Sequence, residues 1–363
     1  MLNSHVRDKF YDVDTQYYWQ RIAFPQLHRE RDVMLFLNPP AVAVVLAPLS
    51  NLSLSSTYIV WGILNLSVLV LLGFILVHHS AEHKQKKTSL YYVLPIFLLF
   101  PPLLTALIQG QVTLWLLLAL FAGWFSFSKQ QNMRSGLWLS LLVIRPNLLI
   151  VPILLLLLKK QWSCLFGIGI GCASFFLISI YAIGLTGLVQ YFHLLLQMPT
   201  LGEVFTIHPQ HEPTLRALLL SLWQTNNVSQ INLIWIAGVA FVMLLLVWSW
   251  RGSWSASSAG ADLRWALLII VLIFSSIHTN YHDLSLLLLV KFLILRTILR
   301  TSSYAQGKKY RHSLPLSVYV ITVGSFFMIL LSVQHPQVVV VVSLFVIVYL
   351  TMVINQKLGK FYK

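Results

Sequence analysis

Apolar residues dominate the chain in long runs that short polar segments separate. Nine runs are long enough, or nearly so, to cross a bilayer as a helix, which takes about 20 residues. This pattern predicts an all-α fold, a polytopic transmembrane helical bundle of about nine spans. The runs lie at about 57–79, 89–108, 112–128, 162–184, 231–249, 263–277, 283–298, 314–333 and 336–355.

A further apolar stretch, 135–158, is interrupted by Arg145-Pro146-Asn147. Its two parts have about ten and twelve residues, and neither is long enough to span a bilayer alone. Proline removes a backbone donor and disfavours helix at the residue before it, so we expect the helix to break here. We predict a short re-entrant helical hairpin with Arg145 at its outer tip. A single kinked span is the alternative.

The composition is that of an integral membrane protein. Of the 363 residues, 58% are hydrophobic and 10% are charged, and the mean hydropathy is +0.78. These values exclude an ordinary soluble domain. The two cysteines, Cys164 and Cys172, lie in one apolar segment, which excludes a disulfide framework and a cysteine metal site and indicates packing residues.

The net charge of +15 is unevenly distributed. Basic residues gather in cytoplasmic loops, so six segments with 17 Lys and Arg but only two acids are predicted to be cytoplasmic. The other loops then face the opposite side with seven basic and eight acidic residues, and Lys291 lies within a span, near enough to its cytoplasmic end to reach water. A kinked span at 135–158 would place the most basic loop outside. The six segments are 78–88, 129–134, 159–161, 250–264, 296–313 and the tail after 355.

The chain is predicted to form a single domain in two parts. Residues 1–56 form an extracytoplasmic loop with an interfacial helix in the proline-bounded segment 36–52, and residues 57–363 form the polytopic membrane domain with an outer loop at 185–230. The amphipathic stretch 187–198 is predicted to lie along the outer membrane surface. Because the polar N-terminal segment has no signal peptide, we expect another span before it; translocation by the first span is the alternative.

Two groups of polar residues in short outer turns are candidates for substrate binding. Gln109 and Gln111 flank a glycine in a tight turn, where amides can hydrogen-bond a sugar. Arg145 lies among apolar residues, and its planar guanidinium suits a phosphate group. The alternatives are a plain connecting turn and an arginine that reaches lipid headgroups.

The outer loop carries further candidates. Glu212 and Arg216 are four residues apart and would form an ordinary ion pair on a helix. In the functional interpretation, Arg216 and a histidine face the same cavity as Arg145. The spacing matches no common zinc motif, so no metal is expected. The polar residues of this loop are His208, His211, Glu212 and Arg216.

A third group lies in a very short outer turn, where His278, His282 and Asp283 fall within six positions. An acid beside lipid is costly, so packing explains this group poorly. Asp283 is expected to orient a histidine, which then donates to a phosphate or transfers a proton.

Taken in order, these motifs resemble glycosyltransferase family 87, a polytopic group of the GT-C superfamily. The resemblance covers most of the chain up to about residue 296. The matching segments are YDVDTQYYWQ at 11–20, FLNPPAVAVVLAPL at 36–49, GQVTLWLLLAL at 110–120, GLWLSLLVIRPNLLIVPILLLLLKKQW at 136–162, IHPQHEPTLRALL at 207–219 and HDLSLLLL at 282–289.

The resemblance implies a hexosyltransferase of the cell envelope. Such an enzyme moves a sugar, mannose or another hexose, from a polyprenyl-phosphate donor to a lipid or glycan acceptor at the extracytoplasmic face of the plasma membrane. It implies no cofactor and no nucleic acid. The family uses a carboxylate in the first outer loop as general base, and basic residues hold the carrier phosphate.

The site residues follow from this resemblance, with two departures from the family pattern. The first span and the acidic motif after it are expected before Met1, and Arg145 stands where the family commonly has lysine. The catalytic candidates are Asp12, Asp14, Asp32, His282 and Asp283. The substrate-binding candidates are Gln109, Gln111, Arg145, His208, His211, Arg216 and His278.

Two other functions stay open. A transporter or flippase of a lipid-linked or anionic substrate would carry polar residues near the bilayer midplane and often an internal repeat. Here the polar residues cluster at one face, which favours an enzyme. A noncatalytic, truncated relative is the third possibility, because the usual base is missing.

Overall fold

The computed structural model describes residues 7–29, 33–80, 100–201, 212–223, 228–251, 260–304 and 337–361. Every regular element in these ranges is helical, which confirms the all-α fold. Short 3₁₀ segments lie at Arg7–Lys9, Ala47–Asn51, Ser140–Ile144 and Tyr281–Leu286. The α-helices are α1 (Val13–Ala23), α2 (Pro40–Leu46), α3 (Leu54–Ser80), α4 (Pro101–Ile108), α5 (Thr113–Ser128), α6 (Asn132–Leu139), α7 (Pro146–Leu158), α8 (Trp162–Leu201), α9 (Leu215–Leu222), α10 (Val228–Ser249), α11 (Ala261–Phe274), α12 (Leu287–Tyr304) and α13 (Gln337–Phe361).

Four of these helices are long and apolar enough to cross a membrane, namely α3, α8, α10 and α13. The predicted spans at 112–128 and 263–277 correspond to helices of 16 and 14 residues, which are shorter than a bilayer requires. The predicted span at 314–333 and most of the one at 89–108 lie outside the described residues. The count of nine spans is therefore not confirmed.

The short helix α11 lies at the centre of the bundle. It is apolar on all sides, and every residue except Asp262 is buried. It packs against α7, α10, α12 and α13. A helix without a polar face is stable where protein surrounds it, so α11 forms the core rather than a lipid-facing wall.

Charged residues hold the start of α11 to its neighbours. Asp262 accepts two hydrogen bonds from Nη1 of Arg296, at 2.8 and 2.9 Å, and one from the Trp124 indole at 3.2 Å. Arg264 is buried and donates to the carbonyl of Ser249, the last residue of α10, and to that of Arg251 just beyond it, each at 3.0 Å. A cation is favourable at a helix C-terminus, so this end of the bundle is fixed by satisfied charges.

The chain reverses direction at Arg145. Ser140–Ile144 ends there, and Pro146 is the first residue of α7. Two close contacts align α6 with α8: Gly136 lies against the backbone of Cys164, and Gly171 lies against Ser140. These pairs advance together along both helices, so α6 and α8 are parallel and α7 runs back from Arg145. A single kinked span would make α6 and α8 antiparallel, so the geometry favours a hairpin.

The N-terminal segment packs against the second half of α8. Phe10 and Tyr11 share a buried apolar cluster with Tyr191, and the rings of Tyr11 and Tyr191 are 4.9 Å apart. The amide of Ala41 donates to Ser179 Oγ at 3.2 Å. Gly184 interrupts α8 with φ 71° and ψ 176°, a backbone conformation that essentially only glycine adopts. The segment therefore rests on a kinked helix.

Lys291 does not extend toward water as its sequence position suggested. The residue is 9% exposed, and its Nζ lies 3.7 Å from the centroid of the buried Phe100 ring. A cation above an aromatic face is attracted by the ring quadrupole. Lys291 is thus part of the protein interior near the start of α4.

The close approach of α6 and α8 generates a stability prediction. A Cβ at Gly167 would collide with the backbone carbonyl of Met133, whereas a Cβ at Gly169, on the same helix, meets nothing within 4 Å. We expect Gly167→Ala to lower the free energy of unfolding by about 1–3 kcal/mol through overpacking. Gly169→Ala should be neutral or stabilising by up to about 1 kcal/mol. Thermal unfolding in detergent measures both, and equal effects of the two variants would contradict the close packing.

Candidate active site

Four segments bring polar residues together at the end of the bundle opposite Asp262. They are the turn between α4 and α5, the start of α7, the segment before α9, and the turn after α11 with the 3₁₀ segment Tyr281–Leu286. Gly110, with φ 62°, lets the first of these turns close tightly, and its carbonyl accepts the indole N–H of Trp61 at 2.7 Å. Short turns at the ends of apolar helices thus position the site.

The side chain of Asp283 is held in place by hydrogen bonds to two other residues of the site. One carboxylate oxygen accepts the hydroxyl of Thr113 at 2.9 Å, and the other accepts the backbone N–H of Asn280 at 2.9 Å. The side chains of Asn280 and Asp283 form a reciprocal capping box at the start of the 3₁₀ segment. Asp283 is 2% exposed, so these hydrogen bonds keep a buried negative charge in place.

Arg145 faces Asp283 and His282. Its Nη1 lies 3.5 Å from Asp283 Oδ2, and its Nη2 lies 3.2 Å from His282 Nε2. The Nε atom is buried, and no hydrogen-bond partner for it exists in the described part of the chain. The side chain is 18% exposed. A partly accessible guanidinium is therefore held from one side, with donors left over for another group.

His282 has both ring nitrogens engaged. An arginine N–H can only donate, so Nε2 of His282 accepts from Arg145, and Nδ1 carries the hydrogen that it donates to Gln109 Oε1 at 3.0 Å. Burial lowers the pKa of His282, with Asp283 opposing this shift and the charges of Arg145 and His278 adding to it. The imidazole is consequently neutral near pH 7 and orients Arg145.

His278 forms a second unit with Glu212. A carboxylate can only accept, so Nδ1 of His278 donates to Glu212 Oε1, at 2.5 Å. Glu212 Oε2 also accepts the backbone N–H of Thr279 at 3.3 Å, and Asn280 Nδ2 lies 3.3 Å from the other ring nitrogen of His278. The His278 side chain is 28% exposed. The carboxylate thus fixes the tautomer of a half-buried histidine, and Nε2 is the acceptor nitrogen, which here accepts from Asn280 Nδ2.

Asn147 connects the two units. Its Nδ2 donates to Ser276 Oγ and to the carbonyl of His278, the latter at 3.1 Å. Ser276 Oγ in turn donates to the same carbonyl at 2.7 Å. The arginine and the asparagine of the Arg-Pro-Asn motif thus contact different histidines. The motif therefore fixes the His282–Asp283 unit and the His278–Glu212 unit relative to each other.

The structure brings some predicted residues together and separates others. Gln109, Arg145, His278, His282 and Asp283 form one contiguous site, and Gln111 lies in the same turn as Gln109. Arg216 on α9 donates to Asn232 Oδ1 at 3.0 Å. The ordinary Glu212–Arg216 ion pair is absent among the described contacts, because Glu212 binds His278 instead.

The carboxylates of the first loop have local partners. Asp12 caps α1 by accepting from the amide and the hydroxyl of Thr15, at 2.8 and 2.7 Å. Asp14 pairs with Arg29 at 2.6 Å, and both side chains are about half exposed or more. Their role as general base stays a prediction. Three further candidates lie outside the described residues, namely Asp32, His208 and His211.

Sequence reasoning missed several polar residues of the site, among them Thr113, Asn147 and Asn280. Asn280 had a readable signal, since Asn-x-x-Asp is a capping-box pattern. Thr113 and Asn147 look like ordinary residues at helix starts, and only the fold shows their partners. Among the described residues, no group of three or more His, Cys, Asp or Glu side chains is suited to a metal ion.

Comparison with known proteins identifies the family. A family model described as glycosyltransferase family 87 matches residues 36–277, about two thirds of the chain. The chain belongs to glycosyltransferase family 87. No curated protein and no solved structure matches it. The family match includes Gln109, Arg145 and Glu212 and ends one residue before His278. Together with its apolar helices, membership identifies this chain as a membrane glycosyltransferase.

The neutral state of His282 has a measurable consequence for this family member. Because the folded pKa is below the unfolded value of about 6.5, the unfolded chain binds more protons between these two values. Stability contributed by the neutral ring is present above the unfolded pKa and is lost as the pH falls through the folded pKa. We expect His282→Asn to reduce the pH slope of stability in this window by up to about 1.4 kcal/mol per pH unit.

Thermal unfolding in detergent between pH 4.5 and 7.5 measures this slope, whatever absolute stability the variant has. His193 is exposed, and His193→Asn is the matched control with an expected slope equal to that of the parent. A His282→Asn slope equal to the parental slope would show that His282 is not held neutral.

Proposed function

We propose that the chain transfers a hexose, such as mannose, from a polyprenyl-phosphate donor to a lipid or glycan acceptor at the extracytoplasmic face of the plasma membrane. The observation that carries this proposal is the Arg145 guanidinium, held by Asp283 and by a neutral His282 at one end of the bundle, with a buried Nε that no described residue satisfies. No nucleotide is needed, because the donor is already activated as a lipid phosphate.

Sugar transfer from a lipid phosphate requires a cation near the departing carrier phosphate. Breaking the bond between the sugar and the phosphate builds negative charge on the leaving group, and fixed donors aimed at that charge lower the barrier. Arginine offers two parallel N–H donors to phosphate oxygens. Asp283 lies 3.5 Å from Nη1 of Arg145, and Nε of Arg145 has no partner among the described residues, so the carboxylate orients the arginine without using all of its donors. Arg216, Gln109 and Gln111 are the further substrate-binding residues of the proposal.

The acceptor hydroxyl must lose a proton. Within the described site, the His278–Glu212 pair supports this role best, because Glu212 fixes the imidazole tautomer and the side chain is partly accessible. To accept the proton, Nε2 exchanges its contact with the Asn280 amide for the acceptor hydroxyl. The first-loop carboxylates, which the family resemblance favours, remain alternative bases. Asp12 and Asp14 would first have to leave Thr15 and Arg29.

The orientation of the bundle follows from its charges. The end opposite Arg145 carries Lys129, Arg134, Lys159 and Lys160, and no acid occurs in residues 129–161. Basic residues favour the cytoplasmic side. The proposal therefore places the Arg145 end outside and makes residues 132–158 a re-entrant hairpin, with further spans completing the predicted nine. A transporter is less favoured, because most polar contacts gather at one end rather than at the midplane.

Transfer of labelled sugar from polyprenyl-phosphate donors in liposomes tests the reaction. We expect Arg145→Gln to reduce the rate about 10²–10³-fold, as removal of a transition-state donor does. His282→Gln should reduce it about tenfold, because Arg145 loses one orienting contact. Arg21 is exposed and lies in the N-terminal segment, so Arg21→Gln is the matched control with parental activity.

The same assay separates the candidate bases. Glu212→Gln should lower the rate about 10²-fold or more and change the pH profile, because the tautomer of His278 is no longer fixed. Parental transfer by Arg145→Gln would exclude the phosphate site. A parental pH profile in Glu212→Gln, with a loss in Asp12→Asn or Asp14→Asn, would assign the base to the first loop.

Cysteine labelling tests the orientation independently of activity. In a chain with Cys164→Ala and Cys172→Ala, we expect Ser50→Cys to react with an impermeant reagent added outside cells. Gln130→Cys, at the other end, should react only after the membrane is opened. Both positions are exposed in the structure. The reverse labelling pattern would overturn the proposed topology.

A further inference from the structure

A cavity that is wide open to solvent lies at the end of the bundle opposite Arg145, far from the candidate active site. Its volume is about 400 Å³. It opens where the first turn of α6 meets the first turn of α8, next to the turn that joins α5 to α6. The lining residues are Gln130, Gln131, Asn132, Met133, Arg134 and Ser163.

The surroundings of this cavity are positively charged. Lys129, Arg134 and Lys160 are exposed there, and residues 129–161 contain no Asp or Glu that would neutralise them. Among the described residues, Arg134 makes one long contact, to Gln131 Oε1 at 3.3 Å, and its other donors are available. α6 and α8 are parallel, so the partial positive charges of both helix starts add to the field at the cavity. The site is therefore suited to an anion.

An exposed apolar surface continues from the cavity along the same two helices. On α6 it consists of Met133 and Leu137, which are 43% and 37% exposed. On α8 it consists of Trp162, Phe166 and Ile170, spaced by four residues and 63%, 64% and 38% exposed. Residues four apart lie on one helix face. A ligand that fills both regions has an anionic head and an apolar chain.

From this geometry we propose that the cavity binds the headgroup of an anionic phospholipid, with the acyl chains along α6 and α8. Arg134 and the two helix starts hold the phosphate. Basic pockets between membrane helices bind anionic lipid headgroups by the same electrostatics. The bound lipid would stabilise the contact between α6 and α8, whose close packing positions Arg145. This site is independent of the proposed transfer reaction.

Native mass spectrometry of the delipidated full chain tests the site. The protein is titrated with phosphatidylglycerol and with phosphatidylcholine of the same acyl chains. We expect phosphatidylglycerol to bind about tenfold more tightly. Arg134→Gln should reduce its binding to the level of phosphatidylcholine, and Asn132→Asp, which adds a like charge, should reduce it at least as much. Arg251→Gln removes one exposed charge at the same end but outside the cavity and should bind like the parent.

Three outcomes would overturn the proposal. Equal binding of the two lipids would show that the cavity does not select an anionic headgroup. Parental phosphatidylglycerol binding by Arg134→Gln and Asn132→Asp would place the lipid elsewhere. Displacement of phosphatidylglycerol by an equal concentration of glycerol phosphate would make the cavity a site for soluble phosphate esters rather than for lipid. Thermal unfolding of each variant verifies that it is folded.

Discussion

The buried ion pair between Asp283 and Arg145 is the interaction on which the site depends. The two residues are 138 positions apart in the chain, and each is fixed by its own short turn. A carboxylate buried without partners would be strongly unfavourable, yet here Thr113, Asn280 and Arg145 surround it. The network therefore selects one arrangement of three segments: the α4–α5 turn, the hairpin tip and the 3₁₀ segment after α11. Any other register would leave a charge unpaired in an apolar interior.

The sequence predicted the features that local chemistry dictates. The proline after Arg145 predicted the end of a helix there. The scarcity of charge within apolar runs indicated that Arg145 and Asp283 are functional residues. It was less informative where pairing is long-range. Glu212 has a plausible partner four residues away in Arg216, but it binds His278, 66 positions on. Asp12 resembled a catalytic carboxylate, and its structural role as a helix cap is equally compatible with its sequence context. The sequence could not show that α11 is enclosed by other helices, because a hydrophobic run does not reveal whether lipid or protein surrounds it.

The two ends of the bundle differ in how their charged residues are arranged. At the Arg145 end, Asp283 lies 3.5 Å from Arg145 and Glu212 accepts from His278, and the residual donors of Arg145 are few and directed. At the other end, Asp262 and Arg264 are satisfied internally, while the surface cations around α6 and α8 have no acids in their own segment of the chain. A directed, nearly neutral site suits recognition of a specific phosphate ester. A diffuse excess of positive charge suits attraction to a membrane surface.

The kink at Gly184 divides the surface of α8 on which the N-terminal segment rests, since Ala41 contacts Ser179 before the kink and Tyr11 contacts Tyr191 after it. Tyr191, which holds Tyr11, is seven residues beyond the kink, or about 10 Å along the helix. A change of about 10° in the bend would thus move this anchor by nearly 2 Å. The torsion angles of one glycine therefore set how Tyr11 and Ala41 lie relative to each other. A change there would alter the packing of the N-terminal cluster, which is separate from the main core of the bundle.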